Sequence, residues 1–277
     1  MTDKQPHSNT SPNTSPNTSV DLTGRVAAIT GGTRGIGRGI AEAFLAAGAR
    51  VAINGRNPDK GATALSEMAA GDRAIFVAGD VTQQRDVENF IDTTVTNFGK
   101  IDILINNAGG SSGFAPVSEL SDDAWQEAAA WILHSAFWAT RAALKDMSTH
   151  NFGRIINISS VEGRQANKAN VSHYITFKHA LNGFTKAVAF EWGAQGITCN
   201  ALSPGAVETD LMKVSGPAAA ETMGISYEEF LDGYAQDAAI KRLNTVDEVA
   251  VMALLLCSDL GGGITGAIVP VDGGTAL

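Results

Sequence analysis

The chain has 277 residues, of which 44% are hydrophobic and 18% are charged, and its net charge at pH 7 is −9. This composition supplies a large core and excludes global disorder, and the acidic balance argues against nucleic-acid binding as the main activity. The longest uninterrupted apolar run, nine residues from Val249 to Cys257, is too short to cross a bilayer. We therefore expect small-molecule partners, and neither nucleic acid nor membrane.

The first 20 residues differ in composition from the rest of the chain. The polar quartet Ser-Pro-Asn-Thr occurs twice, at 11–14 and 15–18, and such a segment cannot bury apolar surface. It also lacks the apolar stretch of a signal peptide. We therefore expect residues 1–20 to be a disordered low-complexity tail on a cytoplasmic protein, in which Cys199 and Cys257 stay reduced.

From residue 21 onward, short apolar runs of strand length alternate with longer segments of helical periodicity. The runs that predict strands are Val26–Ile29, Val51–Ile53, Ile75–Ala78, Ile103–Ile105, Ile155–Ile158, Thr198–Leu202 and Ile268–Val271. They are continuously apolar, which is typical of parallel strands covered on both faces. The last run contains Pro270, which lacks a backbone donor and weakens this strand candidate unless the strand lies at an edge of the sheet.

The segments between these runs carry the signals of helices. Ile36, Ile40 and Phe44 keep helical spacing up to a stop at Gly48, and residues 87–98 carry an apolar stripe. Helix starts are indicated by Asn57–Pro58 and by the capping-box pairs Ser226/Glu229 and Thr245/Glu248. The alternation predicts an α/β fold: a doubly wound Rossmann-type parallel sheet of about seven strands, with helices on both faces, in a single domain over residues 21–277.

A glycine-rich turn, Thr30-Gly31-Gly32-Thr33-Arg34-Gly35-Ile36-Gly37, follows the first predicted strand and opens the first predicted helix. Glycines permit a tight turn and a close approach to a diphosphate, whose charge then lies at the helix N-terminus. A glycine-rich turn alone is weak evidence, but its place between strand and helix indicates a dinucleotide-binding site.

The second predicted strand ends in Asn54-Gly55-Arg56, where an NAD site usually places a carboxylate that accepts from the ribose 2′-hydroxyl. No carboxylate is present there, and Arg56 offers a guanidinium that can bind a 2′-phosphate and stack on adenine. Arg34 in the glycine-rich turn can reach the same phosphate. The sequence therefore predicts that NADP(H) is preferred over NAD(H); the alternative is that both arginines are solvated surface charges.

Tyr174 and Lys178 are four residues apart, which places them on one helix face. An ammonium near a phenol lowers the phenol pKa from about 10, so that the phenol can exchange a proton with a substrate near neutral pH. Ser160 lies fourteen residues upstream of Tyr174, at the end of a predicted strand, where sites in such sheets form. We therefore expect Ser160, Tyr174 and Lys178 to form a catalytic site beside the cofactor.

Together these motifs resemble those of the classical short-chain dehydrogenase/reductase family, over roughly residues 21–275. The matching segments are residues 30–37, Asp80-Val81, Asn106-Asn107-Ala108-Gly109, Ser159-Ser160, Tyr174 with Lys178, Asn200, Pro204-Gly205 through Thr209, and Asp272-Gly273-Gly274. The resemblance implies hydride exchange between NAD(P) and an alcohol or carbonyl compound. It implies that Tyr174 is the acid/base, that Lys178 lowers its pKa and binds the nicotinamide ribose, and that Ser160 binds the carbonyl oxygen.

The same resemblance implies a set of cofactor contacts and no metal site. The contacts are Gly31, Thr33, Arg34, Gly35, Ile36, Gly37, Arg56, Asp80, Val81, Asn107, Ala108, Gly109, Tyr174, Lys178, Pro204, Gly205, Val207 and Thr209. Asp80 and Val81 would meet the adenine, and Val207 and Thr209 would hold the carboxamide.

The chain departs from the family pattern at one position. The family often has an asparagine in the helix before the catalytic strand, where it completes a proton relay, and Ile132 takes that place here. An isoleucine cannot carry a proton, so another group, such as Ser135, holds the relay water, or the proton takes a different path. His134 is the other polar candidate, although a lone histidine is more often an ordinary packed side chain.

The segment from about 210 to 243 is where this family covers its substrate. It is rich in Met, Tyr and Phe, which favours a medium-sized, partly apolar substrate. A carbonyl reductase or alcohol dehydrogenase is the favoured activity. A reductase of 3-oxoacyl thioesters ranks second, because only Lys213 and Lys241-Arg242 offer a basic patch for an acyl carrier. A cofactor-sensing module without turnover is the alternative from another class.

Family resemblance also implies a homo-oligomer, with a tetramer as the expected state. Trp125, Trp131, Phe137 and Trp138 crowd neighbouring turns of one region. One helix on a sheet cannot easily bury all of them, and exposed apolar patches mark interfaces.

Overall fold

The computed structural model describes residues 20–275, so the predicted tail lies outside the described residues except for Val20. The strands are β1 (Val26–Ile29), β2 (Arg50–Gly55), β3 (Ala74–Ala78), β4 (Ile103–Asn106), β5 (Gly153–Ile158), β6 (Ile197–Pro204) and β7 (Ile268–Val271). They form a seven-stranded sheet in the order β3-β2-β1-β4-β5-β6-β7, and every neighbouring pair is parallel. The predicted doubly wound sheet is confirmed, and β7, with its proline, lies at an edge.

Helices cover both faces of this sheet. They are α1 (Gly35–Ala46), α2 (Pro58–Met68), α3 (Gln84–Phe98), α4 (Asp122–Ala129), α5 (Ser135–Met147), α6 (Ser172–Trp192), α7 (Asp210–Met223), α8 (Tyr227–Asp237) and α9 (Val246–Cys257). One core joins α1 and α9 to the sheet through Ile40 and Val249. The other joins α3, α5 and α6 through Phe90, Ala139 and Val188. The reversal of strand order beside β1 places the carboxyl ends of β1 and β4 at the centre of one edge, where such folds bind ligands.

The helix ends follow the capping signals in the sequence. The Asn57 side chain accepts from the Lys60 N–H at the start of α2. Both predicted capping boxes form, at the N-termini of α8 and α9. No helix in the described part of the chain is long and apolar enough to cross a membrane.

At the amino-terminal end of β4, the buried Asp102 carboxylate gathers several donors. It accepts from the Val26 backbone N–H at 2.9 Å, and it pairs with Lys100 at 2.9 Å and with Arg25 at 3.6 Å. The Asp102 side chain is fully buried, whereas both cations are partly exposed. The carboxylate therefore joins β1 to β4 beyond the backbone ladder.

Asp102→Ala is expected to lower the free energy of unfolding by about 3 kcal/mol, because the Val26 N–H and two cations lose their carboxylate. Partial exposure of Arg25 and Lys100 keeps the effect at the low end of the range for a broken buried pair. Denaturant titration followed by circular dichroism measures the change, with the exposed Asp237→Ala as a matched control. If Asp102→Ala lowers the free energy of unfolding by no more than the control substitution does, water replaces the carboxylate.

Candidate active site

The glycine-rich turn after β1 adopts a backbone that its glycines allow. Gly31 and Gly35 have positive φ angles of 64° and 55°, a region that other residues seldom adopt. The Gly35 N–H, at the first turn of α1, donates to the Asp210 carboxylate at 3.4 Å. This helix N-terminus therefore already accepts an anionic group, as a diphosphate site must.

Asn107, just after β4, fixes the turn in place. Its amide nitrogen donates to the carbonyl oxygens of Thr30 and Gly31 at 2.9 and 3.0 Å. The Thr30 hydroxyl in turn accepts from the backbone N–H groups of Asn107 and Ala108, each at 3.0 Å. A Cβ on Gly37 would come within 2.4 Å of the Asn107 amide nitrogen, so only glycine permits this close contact between α1 and the loop after β4.

The turn opens onto a cleft of about 580 Å³ at the carboxyl end of the sheet. The expected cofactor contacts that line it are Gly31, Thr33, Arg34, Gly35, Ile36, Arg56, Asp80, Val81, Asn107, Ala108, Gly109, Tyr174, Lys178, Pro204, Gly205 and Thr209, and Ser160 joins them. Lining residues that the sequence analysis did not name as contacts are Asn54, Gly55, Gly79, Gly110, Ser111, Trp131, Ile158 and Ser159. The structure thus brings nearly the whole expected site together in one cavity.

Two expected contacts lie elsewhere. Gly37 packs against Asn107 instead of lining the cleft. Val207 is only 7% exposed and belongs to the core, where it forms a β-bridge with Asn244. Both residues therefore support the wall of the cleft through packing.

The end of β2 carries Gly55 where an NAD site usually has a carboxylate, and a side chain at this position would require Thr33 to shift. A Cβ on Gly55 would lie 3.0 Å from the Thr33 methyl carbon. Arg34 and Arg56 are both exposed at the cleft, and within residues 20–275 neither pairs with a carboxylate. Other arginines of the chain form ion pairs with carboxylates. Arg38 pairs with Glu42 and Glu67, Arg141 pairs with Glu88, and Arg242 pairs with Glu248.

Ser160, Tyr174 and Lys178 meet at the opposite end of the cleft. Ser160 follows β5 and is 9% exposed, and its hydroxyl lies close enough to the Tyr174 phenol to lower the pKa of that phenol. Tyr174 stands in the first turn of α6, and the Lys178 ammonium lies 5.5 Å from the centre of its ring. Lys178 Nζ also donates to the Ile158 carbonyl oxygen at 2.7 Å, which ties α6 to the end of β5.

The ionisation of this pair differs from the expectation that Lys178 lowers the Tyr174 pKa. Burial raises the Tyr174 pKa above its ordinary value, the Ser160 hydrogen bond opposes the rise, and the nearby Glu162 charge adds to it. Burial lowers the Lys178 pKa to about 7. Lys178 is therefore a weaker source of positive charge than a solvated lysine, and Tyr174 stays protonated at neutral pH.

Glu162 is a buried carboxylate beside the site that the sequence analysis did not single out. It is 3% exposed, and its backbone N–H donates to the Ser160 hydroxyl oxygen at 3.2 Å. Lys168 lies 3.7 Å from its carboxylate and also 4.7 Å from the ring of Tyr234 on α8. The position of Glu162 two residues after Ser160 was the only signal for it in the sequence.

Ile132 lies in a wide π-helical turn, Ala130–His134, that joins α4 to α5. Its side chain is 1% exposed and packs with Phe177. The Ser135 hydroxyl donates to the Trp131 carbonyl oxygen at 2.6 Å, and His134 is exposed and lies against Trp138. The side chains of this turn offer no evident replacement for the family asparagine.

Helices α7 and α8 make up most of the segment expected to cover the substrate, and α7 begins directly after Thr209, which lines the cleft. Tyr227, Phe230 and Tyr234 form an aromatic row along α8, with ring centres 6.3 and 5.2 Å apart. Gly216 on α7 meets the Tyr227 ring closely, since a Cβ there would come within 2.5 Å of it. Among residues 20–275, no group of three His, Cys, Asp or Glu side chains is arranged to hold a metal ion.

Comparison with known proteins matches the chain nearly end to end. Residues 31–276 match the family model described as enoyl-(acyl carrier protein) reductase. The D-β-hydroxybutyrate dehydrogenase of Cupriavidus necator is 35% identical over 255 residues, which are 91% of this chain and 98% of that protein. The 3-oxoacyl-[acyl-carrier-protein] reductase of Haemophilus influenzae is 34% identical over 256 residues, 92% of this chain and 100% of that protein.

The same architecture occurs among solved structures. A variant of the actinorhodin polyketide ketoreductase, crystallised with NADPH, superposes with a TM-score of 0.86 at 33% identity. The superposition covers 91% of this chain and 97% of that one. The similarity therefore spans the sheet, the cleft and the helices around them.

Proposed function

The chain belongs to the short-chain dehydrogenase/reductase family, oxidoreductases of hydroxyl and carbonyl groups that bind a nicotinamide cofactor, and we propose that it is an NADP(H)-dependent member. Its reaction interconverts a carbonyl compound and a secondary alcohol, with Tyr174 as the acid/base. The convergence of Ser160, Tyr174 and Lys178 on the cleft that holds the glycine-rich turn carries this proposal.

The geometry of the cleft fits a dinucleotide. The turn has the positive φ angles and close packing of a diphosphate cradle, and the α1 N-terminus binds an anionic oxygen already. Asp80 and Val81 would meet the adenine, and Asn107, Ala108 and Gly109 would line the middle of the cofactor. Thr209 would hold the carboxamide, while Val207 supports it from the core.

The preference for NADP(H) rests on the end of β2. Gly55 supplies no carboxylate for a free 2′-hydroxyl, whereas Arg34 and Arg56 stand at the cleft without a carboxylate partner within the described residues. A guanidinium that has not been neutralised is suited to a 2′-phosphate. The NADPH in the related ketoreductase structure agrees with this preference.

When bound, NADP(H) supplies or accepts the hydride, and the protein handles the proton. During reduction the carbonyl oxygen gains negative charge, and the protonated Tyr174 phenol donates to it. The Ser160 hydroxyl donates a hydrogen bond to the same oxygen and orients the substrate. Lys178, anchored on the Ile158 carbonyl oxygen, would hold the nicotinamide ribose. Because burial holds the Tyr174 pKa above its ordinary value, the phenol is in the acid form that reduction requires.

The test is a substrate screen with the purified chain. Ketones, 3-oxoacyl thioesters and secondary alcohols are offered with NADP(H) and with NAD(H), and the absorbance of the reduced nicotinamide is followed. Turnover of at least one class with NADP(H), absent in Tyr174→Phe, is expected. Binding of NADP(H) without turnover of any class would favour the sensing module instead.

A reductase of 3-oxoacyl thioesters is the second candidate, favoured by the similarity to the Haemophilus influenzae enzyme. An acyl carrier would need free cations near the entrance. Arg242 pairs with Glu248 at 2.6 Å, and Lys241 donates to the Gln236 carbonyl oxygen at 2.7 Å, so both are engaged within the chain. Small free ketones therefore rank ahead of carrier-bound thioesters, and comparing the two in the screen decides between them.

We also expect a homotetramer. Exposed apolar side chains stand on neighbouring helices of one face, where Phe137 on α5 is 41% exposed and Phe190 on α6 is 92% exposed. Val251 on α9 is 63% exposed and offers a second surface. Such patches are unfavourable in water and mark interfaces.

Light scattering at micromolar concentration should give a mass four times that of the 28.8 kDa chain. Phe190→Glu should lower this mass, because it places a charge in the apolar contact, while the exposed Glu191→Gln should leave it unchanged. A monomeric mass for the unmodified protein would refute the tetramer.

The same proposal includes the organisation of the chain. Residues 1–20 are a tail, residues 21–277 are the catalytic domain, and residues from about 210 to 243 cover the substrate. The proposal also includes a cytoplasmic location, which agrees with the free, buried thiols of Cys199 and Cys257.

A further inference from the structure

Arg56 and Trp131 meet across the cofactor cleft. The Arg56 guanidinium carbon lies 6.0 Å from the centre of the Trp131 ring, within the range of a cation–π contact. Both side chains line the cleft. This contact joins the end of β2 to the segment after β4, and β1 separates these two strands in the sheet.

The sheet order fixes where the indole must be. Arg56 follows β2, whereas Trp131 lies on the connection between β4 and β5, and β1 runs between β2 and β4. The contact between the Arg56 guanidinium and the indole therefore spans the gap that β1 leaves between the ends of β2 and β4. Asp80 and Val81, which follow β3, line the same cleft.

The π-helical turn explains how Trp131 reaches this position. The next side chain, Ile132, is buried against Phe177, while Trp131 stays half-exposed. The indole borders Gly110, where a Cβ would lie 3.5 Å from its Cε3 atom. The 2.6 Å hydrogen bond from Ser135 to the Trp131 carbonyl oxygen holds the backbone of the turn. The ring is thus held at the wall of the cleft by packing on one side and faces the cleft on the other.

We propose that Trp131 binds the adenosine half of the cofactor by stacking on the adenine ring, and that Trp131 and Arg56 together close over that half. This inference rests on the proposed function. An aromatic face is the surface that a nucleobase prefers, since every base has a π-face to stack. The two residues divide the recognition between them: Trp131 contacts the adenine, which both cofactors share, and Arg56 contacts the 2′-phosphate, which only NADP(H) has.

This division predicts different binding patterns for substitutions of Trp131 and of Arg56. Trp131→Ala should lower the binding affinities for ADP and for 2′,5′-ADP by the same factor, about tenfold, which is the scale of one base–aromatic stack. Trp131→Phe should keep most of the affinity. Arg56→Ala should lower the binding affinity for 2′,5′-ADP and leave the affinity for ADP unchanged. Nicotinamide mononucleotide, which has no adenine, should bind all three variants equally.

Isothermal titration calorimetry of the full chain with these three cofactor fragments measures each dissociation constant without catalysis. Trp125→Phe is the matched control, because Trp125 is 37% exposed and packs edge-on against Phe177, away from the residues that line the cleft. Ligand-induced quenching of tryptophan fluorescence, compared between the unmodified protein and Trp131→Phe, provides a second readout if Trp131→Ala folds poorly. The quenching should be largely lost in Trp131→Phe.

Affinities for ADP and 2′,5′-ADP that do not change in Trp131→Ala, or quenching that persists in Trp131→Phe, would overturn the role of Trp131. Failure of the unmodified protein to bind 2′,5′-ADP at all would instead overturn the proposed NADP(H) dependence, so the two failures are distinguishable.

Discussion

Tyr174→Phe should lower turnover by at least about 100-fold, the usual scale for loss of a general acid. The substitution keeps the ring at the start of α6 and removes only the phenolic hydroxyl. No other phenol lines the cleft among the described residues. Steady-state rates with the best substrate of the screen measure the loss, and a fluorescence titration should find NADPH affinity largely retained.

A residual rate close to that of the unmodified protein would mean that another group transfers the proton. Thr176→Ser is a matched control, because Thr176 is an exposed residue of the same helix and the change also removes one small group. The pH profile adds an independent criterion. Since burial holds the Tyr174 pKa above its ordinary value, the phenol keeps its proton through neutral pH, and loss of that proton should lower the reductive rate in alkaline solution.

Arg56→Ala should remove most of the preference for NADPH over NADH, an expected change of about 10- to 100-fold in the ratio of affinities. A charge-assisted hydrogen bond contributes about 1.5–3 kcal/mol, and about 1.4 kcal/mol corresponds to a factor of ten. Arg34→Ala should have a smaller effect in the same direction. NADH affinity should change little in either variant, because a free 2′-hydroxyl makes no use of the charge.

Fluorescence titrations of both cofactors at two salt concentrations test this expectation. Added salt should weaken NADPH binding more than NADH binding, since the discriminating contact is exposed and ionic. Arg73→Ala is a matched control that removes the same charge at the opposite end of β3, where Arg73 donates to the Leu45 carbonyl oxygen. Equal affinities for the two cofactors in the unmodified protein would mean that Arg34 and Arg56 are solvated charges.

The sheet and its caps could be predicted because their causes are local in sequence. Each continuous apolar run identified a strand, including the seventh candidate, whose proline is tolerated because β7 lies at an edge. The capping boxes at Ser226 and Thr245 formed because both partners lie within one turn. The glycine-rich turn was recognisable for the same reason: strand, glycines and helix are adjacent in the chain.

The features that were missed depend on parts of the chain that only folding brings together. The direction of the Tyr174 pKa is set by burial and by Glu162, neither of which the Tyr174–Lys178 spacing can report. Gly37 resembles a cofactor contact in sequence, but the Asn107 amide determines its role in space. The π-helical turn at 130–134 leaves no periodicity to distinguish it from the helices on either side. Trp131 was therefore assigned to a surface patch, whereas it lines the cleft.

The edge strand β7 also bears on how this protein avoids aggregation. The carbonyl oxygens of Ala267 and Val271 accept from the backbone N–H groups of Ala201 in β6 and of Gly205 just after it, at 2.9 and 3.1 Å. In a parallel strand the alternate peptide groups point the other way, so Ile268 and Pro270 face the open side. Pro270 has no N–H to offer there, and a strand of four residues is too short to template another. A further strand therefore cannot add to this edge as a continuous hydrogen-bonded ladder, which blocks fibre growth by strand addition at β7.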